Sequence, residues 1–234
     1  MANENQKVII GIVSKHYNID KKRTDSYIRD EVKQAIFDNG GIAIGILSPN
    51  EEILYCRNNW EDFEQELLKE DIIAQLNLCD GIIIQGGTTN EPFESFIAKY
   101  CFENNIPILG ICAGQNCIVD AIGGCIKYID NPEKHNQADE DYVHSISIDN
   151  TSKFYQIVNK ELIMVNSRHR NTVDNSSILD KVAFCEDGYA DVIESKDKTF
   201  YIGVRFHPES LYKIDENMNN IFKKFIDIAK NVVL

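Results

Sequence analysis

Apolar residues fall into two textures along the chain. Through the first half, short unbroken apolar runs alternate with amphipathic stretches. KVIIGIVS (Lys7–Ser14), IAIGILS (Ile42–Ser48), GIIIQ (Gly81–Gln85) and IPILGI (Ile106–Ile111) lack the polar alternation of a half-exposed strand. They predict strands covered on both faces, hence a parallel sheet with helices on each side. Between them, TDSYIRDEVKQAIFDNGG places Ile28, Val32 and Ile36 on one helical face, with Thr24 or Asp25 as cap and Gly40-Gly41 as stop. WEDFEQELLKEDIIAQLNLC and EPFESFIAKYCFENN are predicted helices, the second with Pro92 in its first turn. After Gly124 the runs shorten to HSISI, LIMVNS, KVAFCE, ADVIE and TFYIGVRF, with turn signals such as Asp187-Gly188 between them. These predict hairpins added to the sheet or lying beside it. Met218, Ile221, Phe222, Phe225 and Ile228 recur at helical spacing and predict a closing helix. No repeat, low-complexity tract or linker interrupts the pattern, so residues 1–234 are expected to form a single α/β domain: a mainly parallel sheet with helices on both faces and added β-hairpins in the C-terminal half.

Charge narrows the partners. The formal charge is −13, which opposes non-specific binding to nucleic acid or to an anionic membrane. The start MANENQ is not basic and the apolar run after it is short, so no signal peptide is expected. No run approaches the roughly 20 apolar residues of a membrane span. The seven cysteines are scattered, and no two have the C-x-x-C spacing of a zinc or redox motif. Reduced thiols in the cytoplasm are the simplest expectation.

One cysteine stands apart. In PILGICAGQN, Cys112 follows an apolar strand, lies between Gly110 and Gly114, and precedes a helical stretch. Strand, Gly-x-Cys-x-Gly and helix make a nucleophile elbow with sulfur in place of oxygen. The elbow presents the side chain at the carboxyl edge of the sheet, with a helix N-terminus favouring the thiolate. The Ala113 amide would face the oxyanion of an attacked carbonyl. A small buried hydrophobe is the ordinary role of a cysteine, and it is assigned to the other six. For Cys112 both roles stand until a base is found. Of five histidines, His207 in RFHPES ends a strong strand, and Pro208 holds it extended. In extended chain Glu209 projects to the same side, where it can orient the imidazole. Cys112, His207 and Glu209 then have the logic of nucleophile, base and orienter.

With these residues placed, PILGICAGQN and VRFHPES resemble the nucleophile and His-Pro-Glu motifs of class I glutamine amidotransferases. The resemblance is nearest to their gamma-glutamyl-gamma-aminobutyrate hydrolase branch, through KVIIGIVS, SYIRDEVKQAIFDNGG, IIIQGGTTNEPF, VNSRHR and EDGYADVIE, in order along nearly the whole chain. It implies a flavodoxin-like sheet and a gamma-glutamyl thioester on Cys112, with no metal or cofactor. It implies His207 as base and then acid, oriented by Glu209, and an oxyanion hole from the amides of Gly87 and Ala113. It further implies a substrate pocket using Gly86, Asn116, Asn166, Ser167 and His169. The sequence departs from the family at Gln85, where proline is usual, and at Ala113, where arginine is frequent. It departs again at Asn116, where glutamine is usual, and at Arg170-Asn171, which stand where His-Gln is usual in the branch. Arg168 and Arg170 add positive charge that could meet a carboxylate or phosphate, or simply be solvated.

Three functions are compatible with these motifs. The first is a hydrolase releasing glutamate and an amine from a small-molecule gamma-glutamyl amide. The alternative is the glutaminase subunit of an amidotransferase; no synthase domain lies within the 234 residues, so a separate synthase partner is then required. The third is a redox sensor using Cys112, which would have no need of His207 and Glu209. A homodimer is compatible with each. The polar segment from His16 to Lys22, after the first strand, is placed near the substrate mouth by topology alone.

Overall fold

The computed structural model describes residues 7–20, 23–49, 66–87 and 91–231. Among these, nine strands build the central sheet: β1 (Ile9–Val13), β2 (Ile42–Ile46), β3 (Gly81–Ile84), β4 (Ile108–Ile111), β5 (His144–Ile148), β6 (Leu162–Val165), β7 (Asp180–Cys185), β8 (Ala190–Glu194) and β9 (Tyr201–Val204). Their order across the sheet is β6-β5-β7-β8-β9-β4-β3-β1-β2. From β2 to β9 the pairing is parallel. From β9 to β6 it is antiparallel. The unbroken apolar runs are therefore the parallel half, and four of the five later runs extend the same sheet as hairpins.

Helices cover both faces. α1 (Asp30–Asp38), α5 (Lys153–Val158) and α6 (Glu216–Ala229) pack on one face, and α2 (Glu66–Leu76), α3 (Pro92–Glu103) and α4 (Ala113–Asp120) on the other. Strand residues alternate between the two cores: Ile83 and Leu109 face α6's side, while Ile82, Ile84 and Ile108 face α3's. In α6, Met218, Ile221, Phe222 and Phe225 are fully buried, as their spacing predicts.

The start of α1 differs from the sequence expectation. Thr24 and Asp25 do not cap it. They lie in a strand, Arg23–Tyr27, paired antiparallel with Lys15–Asp20. The helix begins at Asp30, where Asp30 and Glu31 complement the positive end of its dipole. Ile28 precedes the helix and packs beside the core, while Val32 and Ile36 are buried in it. The stop is as expected: Gly40 adopts φ 84°, and the Gly40 and Gly41 amides return to Phe37 O and Ile36 O. The expected helical residues 60–65 lie outside the described residues.

Candidate active site

Cys112 sits where β4 turns into α4, with φ 53° and ψ −104°. This is a strained conformation for a residue with a side chain. The chain holds it by close approach on both sides. A Cβ on Gly114 would lie 2.0 Å from Ile84 O, and one on Gly110 would lie 2.6 Å from Gly114 O. The Cys112 amide donates to Val204 O of β9 at 2.8 Å, which joins the elbow to the strand that delivers the histidine.

His207 follows β9, and its Nδ1 meets Glu209 Oε1 at 2.6 Å. The contact is the one expected, but its geometric reason is not. Pro208–Ser210 forms a 3₁₀ turn, and Glu209 folds back to the imidazole rather than projecting from extended chain. His207 is fixed from behind by Asn166, which accepts from His207 N at 2.7 Å and donates to His207 O at 2.8 Å.

Charge is concentrated between sulfur and ring. Burial alone would push the Cys112 thiol up; the charge and hydrogen bond of His207, then Arg205, overcome this and leave it lowered. Burial would likewise lower His207, but Glu209 and Cys112 push it up to about 10. Both shifts favour a thiolate–imidazolium pair over a neutral thiol and imidazole. By contrast, burial pushes Cys79 up to about 12.

Cys112 borders two hollows, and His207 borders the smaller of them. The larger, about 520 Å³, is lined by Gly87, Ala113 and Asn116 on the sheet side. Its opposite wall carries Tyr128, Asn136, Arg168, His169, Arg170 and Asn171. That wall is built by two ribbons, Cys125–Tyr128 with Asn171–Asn175 and Asn136–Gln137 with Ser167–Arg168. The smaller hollow, about 230 Å³, opens past His207 and Glu209 toward Arg29 and Glu31. As the first residue of α4, Ala113 has an amide with no partner inside its helix, and it lies in the larger hollow. A Cβ on Gly86 would come within 2.7 Å of His207 Cε1, so only glycine leaves the ring in place.

The remaining expected positions separate. Asn116 and His169 line the larger hollow. Ser167 is buried and donates to His135 O at 2.6 Å, and both ends of the Asn166 amide are taken by the His207 backbone. His16 does not border either hollow; its Nδ1 meets Glu91 Oε2 at 2.7 Å. Lys21 and Lys22 lie outside the described residues.

Two departures from the family pattern have local explanations. Gln85 donates to Val13 O and Tyr27 O, both at 3.0 Å, and accepts from Arg29 N at 2.9 Å, tying the 15–27 ribbon to the sheet. Asn116 accepts from Arg205 Nη1 at 2.7 Å. Arg205 itself was not singled out from sequence. It is fully buried, reaches Cys112 O at 3.3 Å, and leaves Nε and Nη2 without partners at the floor of the larger hollow. Its signal was present in VRFHPES as a charge inside an apolar strand end.

Sheet, elbow and ion pair define an α/β protein with a cysteine poised on a strand-to-helix turn. A family model, Glutamine amidotransferase class-I, matches residues 51–228, and the chain belongs to that family. It is similar to CTP synthase of Chlamydia abortus, 29% identical over 191 residues, covering 67% of this chain and 35% of that protein. CTP synthase of Clostridium acetobutylicum is 25% identical over 260 residues, covering 97% of this chain and 45% of the relative. The glutamine-hydrolyzing GMP synthase of Blochmanniella floridana is 28% identical over 171 residues, covering 70% and 31%. The chain thus spans from about a third to just under half of the length of these curated relatives. Among solved structures, the glutaminase domain of Trypanosoma brucei CTPS superposes with a TM-score of 0.67 at 18% identity, covering 97% of this chain and 96% of that one. A protein of Thermoplasma acidophilum described as one subunit of a GMP synthase gives 0.67 at 17% identity, covering 96% and 94%. At these identities the likeness is one of fold. The relatives carry synthase names, and none of these comparisons singles out the gamma-glutamyl hydrolase branch. No described helix is long and apolar enough to cross a membrane.

Proposed function

We propose that the chain is a glutaminase: it cleaves the side-chain amide of glutamine at Cys112 and supplies ammonia to a synthase partner. The observation that carries the chemistry is the buried Cys112–His207–Glu209 line on a strained elbow; the synthase names of the relatives favour glutamine as substrate. The Cys112 thiolate attacks the amide carbon, and a C–S bond forms. The oxyanion is received by the amides of Gly87 and Ala113. His207 gives its proton to the leaving nitrogen, the C–N bond breaks, and ammonia departs from a gamma-glutamyl thioester. Water, deprotonated by His207, then releases glutamate and restores the thiolate. Glu209 keeps the ring oriented and charged. The glutamyl part occupies the larger hollow, where Asn116, His169 and Arg205 offer polar contacts, and the chemistry needs no cofactor.

A second reading, a hydrolase acting alone on a larger gamma-glutamyl amide, is favoured by one feature. Arg168, Arg170 and Arg205 all border one hollow in a chain of net charge −13, more cations than a single substrate carboxylate requires. Glutamate release from L-glutamine and from a panel of gamma-glutamyl amides, some with acidic amine parts, separates the readings. Release from glutamine that rises with a synthase partner, is blocked by acivicin and vanishes in Cys112→Ala supports the glutaminase. Faster release from an acidic amide by the chain alone, lost on replacing Arg168 and Arg170 with Ala, supports the second reading; unchanged KM in that variant sinks it. No release from any substrate overturns both.

A further inference from the structure

Outside Cys112, His207 and Glu209, three imidazoles meet at the cleft wall: His169, which lines the larger hollow, His135 and His144. The ring centroids of His135 and His144 are 5.1 Å apart, and those of His135 and His169 are 5.3 Å apart. One nitrogen of His135, one of His144 and Cys185 Sγ lie within 4.8 Å of one another. Each ring has one occupied side. His135 Nε2 faces Asp187 Oδ2 and His144 Nε2 faces Asp191 Oδ2, both at 3.3 Å. Their Nδ1 atoms are buried and have no partner. Buried polar atoms are almost always partnered, so two such orphans beside a buried thiol require an explanation. With Nε2–H turned to the carboxylates, each Nδ1 offers a lone pair, and no described group donates to either.

We infer that His135 Nδ1, His144 Nδ1 and Cys185 Sγ form a binding site for a borderline-soft divalent metal ion of the Zn2+ class. Nitrogen and thiolate are the donors that ion selects, and three protein ligands leave the fourth position of a tetrahedron to water. Asp187 and Asp191 supply the carboxylates that hold ligating imidazoles in the right tautomer. Binding forms one M–S and two M–N bonds as the hydrated ion gives up all but one of its waters, and the S–H bond breaks with its proton going to solvent.

The site has no sequence motif because the fold assembles it from separate elements. Cys185 at the end of β7 pairs with Ile146 of β5, two residues from His144. His135 arrives from the segment that builds the cleft wall, and its carbonyl receives His169 N at 3.0 Å and Ser167 Oγ at 2.6 Å. An ion there staples to the sheet the wall that carries Arg168 and His169, acting on the shape of the substrate hollow and not on the thiolate.

The test is metal titration of the full chain, purified without a metal column and stripped with chelator. Cobalt(II) should bind at about one per chain with a thiolate charge-transfer band, Zn2+ should displace it, and either ion should raise Tm. The band should persist in the Cys112→Ala, Cys125→Ser double variant and vanish in Cys185→Ser. Asp187→Asn, at a half-exposed carboxylate, should weaken affinity about 10–100-fold. Absence of the band in the native chain overturns the proposal, as does its loss in the double variant with retention in Cys185→Ser. If Cys185→Ser fails to fold, Asp187→Asn decides: unchanged affinity overturns the site.

Discussion

Replacing Glu209 by Gln removes the charge behind His207 and leaves its shape. The carboxylate accepts from Nδ1 at 2.6 Å and is 3% exposed, so little solvent replaces it. Gln can still accept from Nδ1, which preserves the tautomer, so the loss is the charge-assisted part of the bond. Hydrogen bonds to charged groups are worth about 1.5–3 kcal/mol and neutral ones about 0.5–1.5, so the difference of about 1–1.5 kcal/mol, at 1.36 kcal/mol per decade, predicts a kcat/KM lower by about 5–13-fold. The pH profile gives a second readout. In the proposed mechanism the active form is thiolate with imidazolium. Reactivity falls on the acid side as Cys112 is protonated below its lowered value, and on the alkaline side as His207 loses its proton at about 10. Because Glu209 is the first of the groups raising His207, its neutralisation must move the alkaline limb down. Glutamate release and iodoacetamide inactivation of Cys112, each followed against pH, measure both effects, with circular dichroism confirming the fold. A kcat/KM within about threefold of the native chain and an unmoved alkaline limb would refute the argument that Glu209 sustains the pair.

Three further substitutions probe other supports of the site. Gly114→Ala places a Cβ 2.0 Å from Ile84 O, a backbone atom, so the elbow must shift; the expected cost is about 1–3 kcal/mol, or roughly 2–12 °C in Tm, and a native Tm would contradict the close approach. Arg205→Gln withdraws a buried cation that helps lower the Cys112 thiol; the acid limb of the iodoacetamide profile should move to higher pH, and an unmoved limb would leave Arg205 no electrostatic part. Asn166→Ala frees the His207 backbone at both N and O; kcat should fall about tenfold, a loss of about 1.4 kcal/mol, with KM unchanged, whereas a raised KM with native kcat would restore the substrate-reading part that the family resemblance implies.

What could be read from sequence was what repeats locally. Unbroken Ile runs fixed four strands of the parallel half, and the period of Met218 to Phe225 fixed α6, because each pattern is complete within a few residues. The elbow was legible for the same reason: Gly110 and Gly114 answer close contacts that any strand–turn–helix makes. Thr24 and Asp25 misled because their capping chemistry is equally at home in a strand, and the deciding partner, Lys15–Asp20, is supplied by pairing rather than by pattern. Glu209 was matched to His207 by the right distance in sequence and the wrong backbone, since three residues do not reveal whether they extend or turn. Arg205 and the His135–His144–Cys185 cluster were harder still. Their meaning lies in what is left unpaired after folding, and orphaned lone pairs and guanidinium nitrogens exist only once distant segments have been brought together. The groups that local pattern could not reach therefore lie at the floor and along the wall of the larger hollow, where separate ribbons converge.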